Sequence, residues 1–344
     1  CNAAHCSFRE AIQLLNEGKA TAVNFESSLA DTLWLAQPLP DLEARNGLIQ
    51  GSGTHGVVIS TRASVDYGWK IKGSRVTLKG LIFSGFESYG IQIDSLAEFV
   101  ILLDNQFNYN GEAGLYVEGA NNISIGQMGQ PNWMIGNKNI GISLKYSTSP
   151  SLVTVEGNSI VDNAIGIFGW NLTRGSYIGN NTIRNDSLAG IALLQSEGTR
   201  VFYNEIIGAT PQGILVEQSN NITVQENLLA TYPIGILQKG IGKGNQYTQN
   251  QFACTVQPIV INHADQTPPK PDQICYDEPI TGYSQPFSRI EIYGLTKDTC
   301  NEKDGISWTF LGGTQSEQNG WWQYEEVDST VQQVAALAID AIGS

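Results

Sequence analysis

Two carboxylates, a phenol and an ammonium stand at matching offsets along the early middle of the chain: Asp94, Tyr116, Glu118 and Lys145. Each follows a Gly-headed apolar segment by two or four residues, which puts all four on one outward face if those segments are strands. Two carboxylates one strand apart could hold a calcium ion or flank a sugar, with Lys145 as base and Tyr116 against a sugar ring. The competing account is a solvated strand face on which opposite charges pair loosely. The chain has three His (His5, His55, His263), none near these four, and the group contains no Asp-Asp pair. The usual general bases are therefore missing, which argues against catalysis.

Two further stretches carry chemistry. Trp321 and Trp322 could stack on sugar rings, although strand alternation sends one of two adjacent Trp residues into a core. Asp298-Thr-Cys-Asn-Glu-Lys-Asp304 is an acidic loop whose Asp298 and Asp304 are calcium candidates; its spacing is not that of an EF-hand, and a plain turn also explains it. No other cofactor is implied.

The elements that must position these groups repeat. Gly68-Trp-Lys-Ile, Gly90-Ile-Gln-Ile, Gly114-Leu-Tyr-Val, Gly141-Ile-Ser-Leu, Gly166-Ile-Phe, Gly190-Ile-Ala-Leu, Gly213-Ile-Leu-Val and Gly235-Ile-Leu recur at intervals of 22 to 27 residues, and Pro258-Ile-Val-Ile closes the run. Asn105, Asn132, Asn158, Asn181, Asn204, Asn227 and Asn250 keep the same beat, the last five being 23 residues apart. A period in the twenties with an apolar alternation of two marks a solenoid of strands and argues against helical repeats. Each repeat reads as one coil of a parallel β-helix, with Gly opening a turn that needs free φ and Asn at a bend. Coils about 4.8 Å apart let identical Asn side chains bond to one another; nine coils make a rod roughly 43 Å long.

On this reading the later coils carry an outward apolar stripe: Phe168, Trp170, Leu194, Leu215 and Leu237, with Ala192 and Val260. A patch of that size is a contact surface. A loop, the C-terminal region folding back, or a neighbouring chain should cover it.

Composition narrows the partners. The chain has 344 residues, only 15% charged, and a net charge of −14. Nucleic acid and anionic membrane surfaces are poor partners for such a surface. No run of 18 apolar residues exists to span a membrane. Five Cys contain no CxxC pair. Pairing Cys1 with Cys6 and Cys254 with Cys275 staples both ends and implies an oxidising, extracytoplasmic compartment, leaving Cys300 free or bonded to another chain. Asn-x-Ser/Thr sequons fall at Asn122, Asn171, Asn180, Asn185 and Asn221; turns rich in Asn, Ser and Thr also produce them by chance.

At the N-terminus Ser7-Phe-Arg-Glu10 is a capping box, and Phe8, Ala11, Ile12 and Leu15 line one helical face up to Gly18. Such a helix plugs the open end of a solenoid. The stretch Cys1-Asn-Ala-Ala-His-Cys6-Ser-Phe-Arg-Glu-Ala-Ile12 resembles the start of bacterial surface proteins named for a Cys-Ser-Leu-Arg-Glu-Ala motif, with Phe8 in place of Leu. Asn121-Asn-Ile-Ser-Ile-Gly126 and Asn132-Trp-Met-Ile-Gly-Asn137 are similar to that family's coil pattern. The resemblance implies a right-handed parallel β-helix of pectate-lyase-like type followed by an Ig-like module, here Arg289 to Tyr293, Trp308 to Leu311, Trp321 to Tyr324 and Val334 to Ile339. It also implies further strands before Cys1 and after Ser344.

The expected organisation is all-β: an N-terminal cap over 1–55, nine to ten coils of right-handed parallel β-helix over 56–262, a Pro-rich linker over 263–282, and an antiparallel Ig-like sandwich over 283–344. The expected function is a non-catalytic extracellular structural or adhesive module, a surface rod, adhesin or filament subunit. It would partner with a neighbouring copy or a surface polysaccharide. The alternative is a secreted polysaccharide lyase or glycoside hydrolase, which rests on fold analogy.

Overall fold

The computed structural model describes residues 7–26, 32–51, 56–146, 152–262, 273–275, 279–296, 306–325 and 333–339. One helix, α1 (Phe8–Asn16), precedes three parallel sheets wrapped round a single core. Sheet I has ten strands, from Ala22–Asn24 to Gln246–Thr248. Sheet II begins at Leu33–Leu35 and runs in parallel to Gln251–Thr255. Sheet III has nine strands, from Tyr67–Ile71 to Gln257–Asn262. Each strand's neighbour is the strand one coil later, so the chain winds as a parallel β-solenoid of about nine turns. The coils begin at Ala22, inside the stretch assigned above to the cap.

Alternation does the sorting. In strand Gln212–Glu217, Gly213, Ile214 and Val216 are buried while Leu215 and Glu217 are not. Stacked in register, Ile91, Leu115, Ile142, Ile167, Ile191, Ile214 and Ile236 form one fully buried file down the interior. An apolar file of this kind gives the dry wall against which polar bends must be satisfied from within.

Two amide ladders do so. From Asn105 to Asn250, each Nδ2 donates to the Oδ1 of the Asn one coil on, at 2.9–3.0 Å. The same Oδ1 accepts the backbone N–H of the preceding Asn at 2.9–3.2 Å. Each Nδ2 also donates to a carbonyl one coil back, at 2.8–3.0 Å. All seven Asn are at most 2% exposed. The second ladder lies five residues further along, between sheets II and III: Asn110, Asn137, Asn163 and Asp186. Its regular offset of five from the first column was the signal that sequence reading passed over.

The glycine column has a different cause from the one expected. None of Gly68, Gly90, Gly114, Gly141, Gly166, Gly190, Gly213 or Gly235 has positive φ. Instead, a Cβ on any of them would lie 2.6–3.0 Å from the carbonyl oxygen of the matching residue in the next coil. The backbone of each coil comes too close for a side chain at that point. Pro258 ends the column on the edge strand of sheet III, the last strand of that sheet among the described residues.

Both ends are closed. Ser7 and Glu10 form the capping box of α1, whose Ala11, Ile12 and Leu15 are buried. Phe8 packs its ring 5.0 Å from Phe25 and 5.3 Å from Trp69, plugging the first coils. Arg9 clamps the carbonyls of Gln37 and Pro38 at 2.7 and 2.8 Å. At the other end, strand Ile306–Gln315 pairs antiparallel with Gln251–Thr255 and extends sheet II by three strands, with Arg289–Thr296 and Gln333–Ile339. A second, three-stranded sheet holds Gln273–Cys275, Ile280–Tyr283 and Trp321–Tyr324, so the stretch taken for linker already contains strands. The two sheets enclose Ile280, Ile290, Ile292, Trp322, Val334 and Ala338. Buried Glu291 ties this cap to the solenoid by accepting the Gln249 backbone N–H at 3.0 Å, while Tyr293 donates to it at 2.8 Å and Arg289 lies 2.9 Å away.

Asn204→Ala removes the acceptor of Asn181 and the donor to Asn227. A stranded buried amide costs about 1–3 kcal/mol, so thermal melts should place Asn204→Ala, Asn181→Ala and Asn227→Ala all well below the wild type. Gln246→Ala, at an exposed position, should be neutral.

Candidate functional site

The outward face of sheet III carries the residues singled out first. In register along it run Lys70, Gln92, Tyr116, Ser143, Phe168, Ala192, Leu215, Leu237 and Val260, one per coil. The neighbouring column includes Glu118, Lys145, Trp170, Leu194, Glu217 and Lys239. The face therefore divides into a polar N-terminal part and an apolar C-terminal part.

In the polar part the structure pairs the candidates off. Lys70 Nζ lies 2.9 Å from Asp94 Oδ2. Burial alone would raise the Asp94 pKa, but Lys70, the Leu96 backbone N–H and Lys72 together hold it below the ordinary carboxylate value. Lys72 in turn bonds Asp41 at 2.6 Å. Gln92 Nε2 donates to Glu118 Oε2 at 3.4 Å. Tyr116 stacks on Tyr89 with centroids 4.5 Å apart and planes 12° from parallel, and Lys145 Nζ sits 5.5 Å from its centroid. With one ring face against Tyr89 and Lys145 beside it, Tyr116 is poorly placed to stack on a sugar. Asp94, Glu118 and Lys145 follow one another on successive strands of this face, Glu118 and Lys145 as register partners.

In the later coils Ile140, Ile165, Ala189, Gln212, Ile234 and Gln257 form a third column beside Phe168, Ala192, Leu215, Leu237 and Val260, so the apolar part is broken at Gln212 and ends at Gln257. Trp170 and Leu194 flank them, and the Trp170 indole N–H donates to Gln195 Oε1 at 2.9 Å. Strand Ile306–Gln315 continues sheet II from its edge, where the last parallel strand of that sheet offers unpaired backbone groups.

The acid with the most displaced pKa sits inside the wall. Asp186 ends the second ladder, fully buried; burial raises its pKa to about 7, against the lowering by Asn163 N–H and Nδ2. Its Oδ1 accepts those two bonds at 2.8 and 3.3 Å, and its Oδ2 has no hydrogen-bond partner. A perturbed acid in a cleft points to catalysis, but this one opens on no outward face.

Trp322 is 1% exposed in the core of the C-terminal sheets, which removes it as a sugar contact. Trp321 lies on the outer side, opposite Tyr283. All five sequon Asn residues have φ between +53° and +58°. Asn tolerates this left-handed conformation better than most residues, so the bends of the coil select them. Asn171, Asn180 and Asn221 have their amide nitrogens engaged with Tyr146 O, Glu156 and Glu197. Cys254 is disulfide-bonded. Cys1, Cys6, Cys300, Asp298, Asp304 and the side chain of Cys275 lie outside the described residues. Among the described residues no three His, Cys, Asp or Glu side chains gather to hold a metal, and no helix is long and apolar enough to cross a membrane.

The family model described as a right handed beta helix region matches residues 41–183, and that of the periplasmic copper-binding protein NosD matches 154–267. No curated protein matches the chain. Among solved structures, the enzymatically active domain of tailspike protein 2 from bacteriophage CBA120 is similar at 11% identity and TM-score 0.51, over 93% of this chain and 66% of that one. The full-length tailspike protein 2 of an Escherichia coli bacteriophage is similar at 10% identity and TM-score 0.52, over 96% and 60%. The Dettilon tailspike protein is similar at 12% identity and TM-score 0.50, over 96% and 90%. The chain thus spans under two thirds of the full-length phage protein, and the likeness establishes a right-handed parallel β-helix.

Asp186 should make stability fall with pH. Its carboxyl ionises near 3.8 when unfolded and near 7 when folded, so the stabilisation is fully present below about pH 4 and lost as pH rises through about 7. Asp186→Asn continues the ladder without that charge. Urea melts should show the variant gaining on the wild type from pH 4 to pH 8, by a difference on the order of 4 kcal/mol at most. A gap that stays constant with pH would contradict a raised Asp186 pKa.

Proposed function

We propose that the chain is a non-catalytic extracellular structural or adhesive module, a rigid rod that presents its sheet III face to a partner. The observation that carries this reading is the pairing of the candidate catalytic groups with one another: Asp94 with Lys70, Glu118 with Gln92, Lys145 against Tyr116. A general base must be within reach of a substrate proton and free to take it; here the one strongly raised carboxyl, Asp186, is walled in. The Cys254 disulfide supports an oxidising compartment outside the cytoplasm. Its pairing with Cys275, a Cys1–Cys6 bridge, an Ig-like identity for the C-terminal sheets, calcium in the loop of Asp298 and Asp304, and sugars on the sequons belong to the same proposal. Trp321 with Tyr283 is an aromatic surface open to a polysaccharide contact.

The copper in the name of one matching family does not fit this chain. The matched segment contains no Met, and its one Cys, Cys254, is in a disulfide. Its His263 lies outside the described residues. Soft copper sites need free thiolate, thioether or imidazole donors in one place.

The alternative, a secreted polysaccharide lyase or glycoside hydrolase, is decided by assay. Purified protein incubated with a panel of acidic and neutral polysaccharides should release neither unsaturated products nor reducing ends. Product formation abolished by Glu118→Gln or Lys145→Met would make the chain an enzyme and overturn the reading. Trp321→Ala should weaken any retention on immobilised polysaccharide without altering the melt.

A further inference from the structure

The second ladder loses its acceptor at one coil. Asn110, Asn137 and Asn163 each give their backbone N–H to the Oδ1 of the next rung at 2.8–3.1 Å, and their Nδ2 to the same atom at 2.9–3.3 Å. Strand register puts Ala209 one coil after Asp186, and Tyr232 one coil after Ala209. Ala209 has no side-chain oxygen and is turned to solvent. The bend before it differs from its fellows. Tyr109, Gly136, Asp162, Asn185 and Thr231, each just before its own column position, have φ between +55° and +66°; Gly208 does not have positive φ. The chain at residues 208–211 therefore leaves the line that the other coils keep.

Three polar groups are left beneath this bend. By the ladder's geometry the Asp186 N–H is directed at the seat of the missing Oδ1. Asp186 Oδ2 and Tyr232 Oη are buried without partners, in residues 0% and 1% exposed. Tyr232 reaches back under the bend: a Cβ on Gly208 would lie 2.6 Å from its Oη, and one on Gly190 3.6 Å from it. Because Oδ1 of Asp186 already accepts both Asn163 bonds, Oδ2 takes the position an Nδ2 holds elsewhere. At Asn163 that Nδ2 donates to the carbonyls of Met134 and Val161 at 3.2 and 3.1 Å. Their register counterparts for Asp186 are the carbonyls of Ile160 and Arg184. Carbonyls only accept, so the carboxyl meets them as the neutral acid with its proton on Oδ2. One lone pair of Oδ2, the Asp186 N–H and the Tyr232 hydroxyl remain for a further group.

We infer that one water molecule sits in the seat of the missing Oδ1, beneath the bend of residues 208–211. It accepts from the Asp186 N–H and the Tyr232 O–H and donates to Asp186 Oδ2. Chemistry selects water for this place. An apolar group would strand three polar atoms, each at a cost. A metal cation cannot accept the N–H. Water accepts and donates at once, and three bonds is its usual number in a protein interior. The distances agree: the earlier rungs hold an Oδ1 at 2.8–3.3 Å from both donor atoms behind it, the span of a hydrogen bond to water. The water lets one coil swing its bend outward without breaking the polar line on either side, so the ladder can skip a member. The site stands on the ladder alone and is independent of whether the rod is an enzyme or an adhesive module.

A crystal structure of the full chain that resolves ordered solvent should show a fully occupied water within hydrogen-bond distance of Asp186 N, Asp186 Oδ2 and Tyr232 Oη. In solution, the Asp186 amide proton should show a cross-relaxation peak to a water that stays bound for longer than nanoseconds. The peak should survive Tyr232→Phe and Asp186→Asn, each of which removes a side-chain proton that could relay it, because neither change removes the backbone N–H. A direct bond between Asp186 Oδ2 and Tyr232 Oη with no density between them would overturn the inference, as would loss of the peak in either variant. Anomalous scattering at the seat in rubidium-soaked crystals would make it a cation site and overturn it equally.

Discussion

Everything in this molecule depends on each coil being finished by the next. An Asn at a bend has four hydrogen-bonding sites and no water within reach. Its carbonyl is used by the coil before it in sequence, its amide by the coil after, and its second N–H by a backbone oxygen one turn back. A single coil therefore cannot satisfy itself, and neither can the last coil of a stack. The same reciprocity governs the backbone, where the carbonyl of one coil occupies the place of a missing side chain in its neighbour. A solenoid built this way needs terminators, and the chain supplies α1 at one end and an antiparallel extension at the other.

The sequence displays what repeats and hides what closes. Period, strand alternation, the first Asn column and the capping box of Ser7 and Glu10 were all legible, because each is a pattern in residue type. The second ladder was equally regular but masked by its ending in Asp186, which reads as a surface acid until burial is known. The glycine column was found with the wrong cause: one-letter spacing cannot separate a free φ from a close approach. The pairing of Gln251–Thr255 with Ile306–Gln315 joins residues over 50 positions apart and leaves no periodic trace.

The candidate site was legible in position and not in state. That Asp94, Tyr116, Glu118 and Lys145 share a face follows from alternation alone. That Lys70 neutralises Asp94 follows from register, which brings residues 24 apart in sequence to adjacent strands. Reactive geometry is lost when opposite charges stand in line along the rod axis, since a spacing of about 4.8 Å suits an ion pair well. Further along the same face most outward positions are apolar, and the one ion pair there, Lys239 with Glu217, again joins adjacent coils.

The winding itself has a mechanical meaning. The backbone runs around the rod while its hydrogen bonds point along it. Tension applied between the chain ends cannot stretch the rod; it can only peel coils from an end, once the helix or the antiparallel cap has let go. Each released coil of 23 residues yields about 75 Å of slack at full extension. A surface tether built from this chain would give way in metered steps, each shedding load before the next coil is drawn.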